Sequence, residues 1–231
     1  MRRWAGLLSL LAAAACSGLD EGEGGVVALE IEVPGSELRT LEVGEQVQIA
    51  ARALDADGQV VDAAITWSAS TAAVAVDAAG IVTAVQAGTA EVQASVGSLA
   101  SESVEFTVQA RPDTIVIVGD SVFSIPSGVD PPVTPTLTVR LDSRSPAGPV
   151  GEHPVIFEIT RPVAGDLPVV QLAGGVQGDT LDTSAEGIAE VVVGAVAGQI
   201  PPDTAIVEVR ANRLRGTPVP GSGQRFILLF Q

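Results

Sequence analysis

Val27-Ala28-Leu29-Glu30-Ile31-Glu32-Val33 alternates apolar with polar side chains, and Glu45-Gln46-Val47-Gln48-Ile49-Ala50 does the same. A period of two sends successive side chains to opposite faces, so each segment predicts a strand with one face inward and one toward water. Turn formers separate such segments: Pro34-Gly35-Ser36, Asp55-Ala56-Asp57-Gly58, Asp77-Ala78-Ala79-Gly80 and Gly97-Ser98. Their spacing suits a β-sandwich, and no stretch keeps an apolar stripe at helical period.

A second block of the same texture follows Arg111-Pro112-Asp113, a natural link because proline donates no ladder hydrogen bond and restrains the residue before it. Its expected strands are Ile115 to Val118, Pro135 to Leu141, Val155 to Ile159, Ile188 to Val193, Ala205 to Val209 and Phe226 to Phe230. Between them the polar, Gly- and Pro-containing stretches Ser143 to Pro149, Arg161 to Pro168 and Gly174 to Asp182 read as long irregular loops.

The first residues break the pattern. Arg2 and Arg3 precede a short apolar run through Leu7, Leu8, Leu10 and Leu11, and Ala12 to Ala15 lead into Cys16. That order reads as a secretory signal, its apolar run shorter than the roughly 20 residues a membrane span needs. Ala13-Ala14-Ala15-Cys16 resembles the lipobox of bacterial lipoproteins, though Ala13 stands where that motif usually has leucine. The resemblance implies cleavage before Cys16 and lipid on its side chain, with Ser17 matching the outer-membrane sorting pattern. An ordinary signal peptide cleaved after Ala-x-Ala is the alternative. Residues 17 to 25 hold Gly and acids with little to bury, which predicts a flexible tether.

From Leu41 to Val108 five short motifs fall in a recognisable order. They are Val43-Gly44-Glu45, Asp55-Ala56-Asp57-Gly58, Ile65-Thr66-Trp67-Ser68, the run from Val74 to Ala84, and Gly88-Thr89-Ala90-Glu91-Val92. This resembles the bacterial Ig-like domain group 2, a module of intimin- and invasin-type adhesins and other exported proteins. Val155 to Ile159, Asp182 to Val191 and Ala205 to Val209 resemble its group 1 relative. On the residues alone, Trp67 shares a strand face with Ile65 and is expected between the sheets as the largest core side chain. Gly58, Gly80 and Gly88 sit where tight turns call for a left-handed backbone.

Composition narrows the chemistry. Removing Arg2 and Arg3 with the leader takes the formal charge from −16 to −18, and the chain has no lysine. So acidic a surface repels nucleic acid and anionic lipid. Cys16 is the one cysteine, so no disulfide forms within the chain and core burial must hold the fold. His153 is the one histidine and reads as a surface residue without a second ligand for a metal site or triad. Tyrosine is absent, which leaves few aromatic platforms for sugars.

Asp55-Ala56-Asp57-Gly58, with Asp62, resembles the opening of a calcium loop, but it lacks a third acid before the glycine and a late bidentate glutamate. A hairpin turn explains it better. Asp113, Asp120, Asp130, Asp142, Asp166, Asp179 and Asp182 place carboxylates near the junction or in the second block's loops, without saying which meet. No nucleophile, phosphate-loop or zinc motif is present.

The expectation is therefore an all-β chain of two tandem Ig-like β-sandwich domains after a cleaved lipoprotein signal peptide. Residues 1–15 form the signal, 16–25 the lipidated cysteine and tether, 26–110 the first sandwich and 111–231 the second. The expected role is that of a non-catalytic envelope lipoprotein without cofactor or metal, engaged in surface adhesion or ligand binding. It would be held to a membrane through Cys16 and offer second-domain loops to a protein or glycan. A purely structural stalk or envelope-assembly component is the alternative, and a hydrolase of envelope polysaccharide a more distant one.

Overall fold

The computed structural model describes residues 25–126, 134–162 and 169–231. The leader, Cys16 and most of the tether lie outside the described residues, as do Asp130, Asp166 and most of the stretch from Arg161 to Pro168.

The first half contains β1 (Ala28–Glu32), β2 (Thr40–Glu42), β3 (Gln46–Gln48), β4 (Ala50–Leu54), β5 (Val60–Val61), β6 (Thr66–Ala69), β7 (Val74–Val76), β8 (Ile81–Ala84), β9 (Gly88–Val96), β10 (Leu99–Ala100) and β11 (Val104–Gln109). One face of the sandwich joins β1, β4 and β5 to β3, β8 and β7, with Ile49 bridging β3 and β4. The other is β10-β9-β11-β2, with β6 on the far side of β9. Phe106, Leu41, Ile49, Val82 and Val92 fill the space between them, because alternation along each strand sends every second residue there.

The second half contains β12 (Thr114–Val118), β13 (Val122–Ile125), β14 (Thr136–Arg144), β15 (Ala147–Pro149), β16 (Pro154–Arg161), β17 (Val170–Leu172), β18 (Gly178–Asp182), β19 (Ile188–Ala195), β20 (Thr204–Ala211) and β21 (Gln224–Phe230). Its faces are β12-β14-β19-β17, with β15 on β14, and β13-β21-β20-β16-β18. Phe157, Phe226, Leu137, Leu141 and Leu228 form a separate core.

The halves share one plan. In each, the leading stretch is split between the faces. β1 and β12 pair antiparallel with β4 and β14, and β2 and β13 pair parallel with the final strands β11 and β21. In each, a glycine at the end of a four-residue turn lies against the opposite strand. Gly80 accepts the Ile49 N–H at 2.9 Å, and Gly187 accepts the Leu141 N–H at 2.8 Å. Among the described residues, helix is limited to a single 3-10 turn, Ser36–Arg39.

Two stretches expected as loops are strands. Ser143 to Pro149 is a hairpin in which β14 continues to Arg144 and β15 returns beside it. Pro149 is compatible because β15 pairs on one side only. Within Gly174 to Asp182, β18 lies at the edge of its sheet and packs only Leu181 inward, so its polar sequence conceals a strand.

Candidate functional site

Where β20 turns into β21, the loop Asn212-Arg213-Leu214-Arg215-Gly216 of the second sandwich meets the end of β2 in the first. The Leu214 N–H donates to Glu42 Oε1 at 2.5 Å, and the Glu42 N–H donates to Glu45 Oε2 at 2.9 Å. Arg215 donates to the carbonyls of Thr40 (2.8 Å) and Glu37 (3.4 Å), and its Nε stands 3.5 Å from Glu45 Oε1. Burial holds the Glu42 carboxyl above the usual carboxylate range. The Leu214 N–H and the charges of His153 and Arg213 counter that burial, while Glu45 adds to it.

Asp113, at the start of the second sandwich, is the other centre of the joint. Its Oδ1 takes Arg111 Nε and Arg213 Nη2, each at 3.0 Å, and its Oδ2 accepts the Arg144 N–H at 2.9 Å. Burial alone would push its pKa up, but the Arg144 N–H and the two guanidinium groups outweigh that, and its carboxyl sits below the usual range.

His153, expected at the surface, is 9% exposed. Its N–H donates to Thr183 Oγ1, and its Nε2 lies 2.8 Å from the Asn212 carbonyl oxygen. That backbone contact draws the ring beneath the joint loop instead of into solvent.

Trp67 is packed against the core but only half-buried. Phe106, at 0% exposure, is the largest fully buried side chain of the first sandwich. The reason is the small walls of the shallow groove beside the indole, Ala50, Ala51, Ala78 and Ala79, which leave about 300 Å³ open. Gly58 and Gly80 have φ of 75° and 79°, and Gly88 opens β9 at φ 141°. A Cβ on Gly80 would stand 2.6 Å from the Ile49 carbonyl oxygen, whereas one on Gly58 meets nothing within 4 Å. Asp55 Oδ1 accepts the N–H groups of Asp57 and Gln59, closing a hairpin turn between β4 and β5.

Among the described residues, the remaining candidate carboxylates of the second sandwich do not gather. Asp142 pairs with Arg140, Asp120 is exposed, and Asp179 and Asp182 lie along β18. Among the described residues, no group of three or more His, Cys, Asp or Glu could hold a metal ion. A groove of about 580 Å³ beside β16 and β18 is lined by Glu158, Asp179 and Gln177, and Glu158 is engaged by Arg210.

Strand directions place one further loop. β14, β16 and β20 have their Arg144, Pro154 and Ala211 ends toward the joint, so the connection 196–203, which leads into β20, lies at the opposite end. In that connection Ile200 is 89% exposed beside Pro201 and Pro202. Of the joint residues, sequence singled out only Asp113 as a carboxylate near the junction, with Arg111 beside it in the link and Glu45 in a strand motif. The available signal for the rest was Arg213-Leu214-Arg215-Gly216, two cations in one turn of a strongly acidic chain.

No family model matches this chain, and no curated protein matches it. Solved structures do. The chain is 14% identical to the Escherichia coli adhesin FdeC with a TM-score of 0.50, covering 88% of this chain and 64% of that one. It is 16% identical to the Yersinia pseudotuberculosis adhesin InvE with a TM-score of 0.46, covering 88% and 58%. It is 17% identical to domains 4 and 5 of the S-layer protein SbsC with a TM-score of 0.33, covering 89% and 98%. The chain thus spans less than two thirds of either adhesin structure. At such identities the likeness is one of architecture, and that architecture is all-β, built of Ig-like sandwiches.

Proposed function

We propose that this chain is a non-catalytic protein of the cell envelope, tethered by lipid on Cys16, whose two Ig-like sandwiches act in surface adhesion or ligand binding. The observation that carries this reading is the bonded joint. Glu42 and Glu45 of the first sandwich engage Leu214 and Arg215 of the second, and Asp113 fixes the loop that carries them through Arg213, so the second sandwich is held on the first. Bracing of this kind holds the exposed connection 196–203 of the second sandwich at a set position relative to the first, and loops on rigid sandwiches are common sites of recognition. Exposed Ile200, with Pro201 and Pro202, gives that connection an apolar, stiff element suited to a protein or glycan surface. FdeC, which shares the fold, is itself described as an adhesin.

Binding of the full chain to intact cells, glycan arrays and matrix proteins tests the reading, alongside a variant with residues 197–202 replaced by Gly and Ser. Binding by the parent that the variant loses is the expected result. Equal binding by both, or none by the parent, sinks it. Protease shaving of intact cells, with Cys16→Ala as the release control, tests anchoring and exposure together.

The second reading is a structural stalk or envelope-assembly component without a soluble ligand. The same joint favours it, because bracing spaces two modules whether or not the far end binds anything. Deletion that disturbs envelope integrity while leaving surface binding intact would select it.

A further inference from the structure

We propose that the outer face of the β13-β21-β20-β16-β18 sheet is an interface between two copies of this chain, related by a two-fold axis that runs along β20. The sequence signal is Phe226-Ile227-Leu228-Leu229-Phe230, apolar at every position. A strand with one face in water alternates, and an unbroken apolar run suits a strand covered on both faces. Phe226 and Leu228 are buried in the core, whereas Ile227 and Leu229 alternate with them on the outer face and are half-buried. Ile227 pairs with Val122, which is 50% exposed, on one side and with half-buried Ile206 on the other. Three neighbouring strands thus carry one aliphatic row on the outside of the sandwich. The opposite sheet has no such row, because its exposed Val116 and Val118 stand beside Arg140 and Thr138, and Val192 beside Thr136.

Charge selects the occupant. One step from the aliphatic row toward the joint, Arg225, Glu208 and Glu158 lie side by side on β21, β20 and β16. Across this face Arg161, Arg210 and Arg225 stand against Glu158, Glu208 and Asp182. The face is therefore balanced in a chain of formal charge −16, and a second copy approaches it without the repulsion that the acidic remainder would impose.

The register then fixes the symmetry. β20 is the third of the five strands, so a two-fold along it lays β21 of each copy over β16 of the other. Ile206 meets its own counterpart on the axis, and Arg225 of each copy stands over Glu158 of the other, twice by symmetry. A two-fold across the strands would instead lay the charged row over Ser124, Leu229 and Thr204, which offer no opposite charge. Both groups have room to pair, with the Arg225 side chain 61% and the Glu158 side chain 49% exposed.

Size sets the strength. Five strands about 4.8 Å apart, the central three seven or eight residues long, give a face of roughly 500 Å². Two copies stacked there bury about 1,000 Å² in all, the low end of specific interfaces, so the dimer is reversible. Its two chains run in the same direction, which suits anchorage in one membrane, but the contact depends on neither an anchor nor a ligand.

Sedimentation equilibrium of residues 16–231 carrying Cys16→Ala, across a series of concentrations, tests it. The expected result is a monomer–dimer equilibrium that Ile206→Arg weakens by about tenfold or more. Arg225→Glu and Glu158→Arg should each weaken it several-fold, and the two together should restore it, because the exchanged charges again face each other across the axis. A parent that stays monomeric at every concentration, or that forms larger assemblies, overturns the proposal. So does a dimer untouched by Ile206→Arg, or a double variant no tighter than the single ones. Flotation of the parent with phosphatidylcholine vesicles, lost in Ile206→Arg, would give the face to a bilayer and overturn it as well. If Ile206→Arg does not fold, as circular dichroism would show, the charge exchange decides.

Discussion

Phe106 lies fully between the sheets of the first sandwich, while Trp67, the larger side chain, is half-buried at its margin. Phe106→Ala should therefore destabilise by about 3–5 kcal/mol and Trp67→Ala by about 1–3 kcal/mol, because cavity cost scales with what surrounded the lost atoms. Urea unfolding of the full chain measures both, and a larger loss at Trp67 would contradict the packing. Alternation around Ile65 and Trp67 told which face the indole takes. It could not tell how well that face is covered, because the covering residues, Ala50, Ala78 and Ala79, belong to other segments. Glu42 and Glu45 show the same limit, as two glutamates alike in sequence of which one is buried by a loop from the other sandwich.

The turns of the first sandwich were the most legible elements, while Ser184 to Gly187 and Arg213 to Gly216 in the second went unread. Asp55 to Gly58, Asp77 to Gly80, Ser184 to Gly187 and Arg213 to Gly216 each close with the glycine N–H donating to the carbonyl three residues earlier. In the first three, the leading side chain also accepts two N–H groups, one within the turn and one from the residue just after it. The glycines differ in what lies behind them. Gly58→Ala should cost about 1 kcal/mol, the penalty of a left-handed backbone alone. Gly80→Ala and Gly187→Ala should cost about 2 kcal/mol or more, since a Cβ would press within 2.6 Å and 2.5 Å of the Ile49 and Leu141 carbonyl oxygens. Thermal melts of the three variants would show it, and three equal shifts would refute the close approach. Edge elements were the least legible. β13, β15 and β18 bury little, so their residues carry no strong period, and only the partner strand makes them strands.

At the scale of the molecule, two sandwiches, each with its own buried side chains, meet across a joint whose two carboxylates respond to acid in opposite senses. Asp113 is held below the ordinary aspartate range, so its stabilisation is complete above that range and is lost as pH falls below about 4. Glu42 is held above its range, so protonation favours the folded joint, and its burden is relieved as pH falls through its raised value. Asp113→Asn should cost about 2–3 kcal/mol near neutral pH, and the difference from the parent should shrink in acid. Glu42→Gln should leave neutral stability equal or higher. Urea midpoints across a pH series give both results, and a parallel loss of stability in parent and Asp113→Asn would refute the role of that carboxylate. Strand period, turn chemistry and the all-β class were determined by the sequence itself, because each depends on residues a few positions apart. The joint, the burial of His153 and the parallel closing pairs were decided only by the tertiary structure. They rest on contacts such as Leu214 with Glu42, 172 positions apart, which no local pattern records.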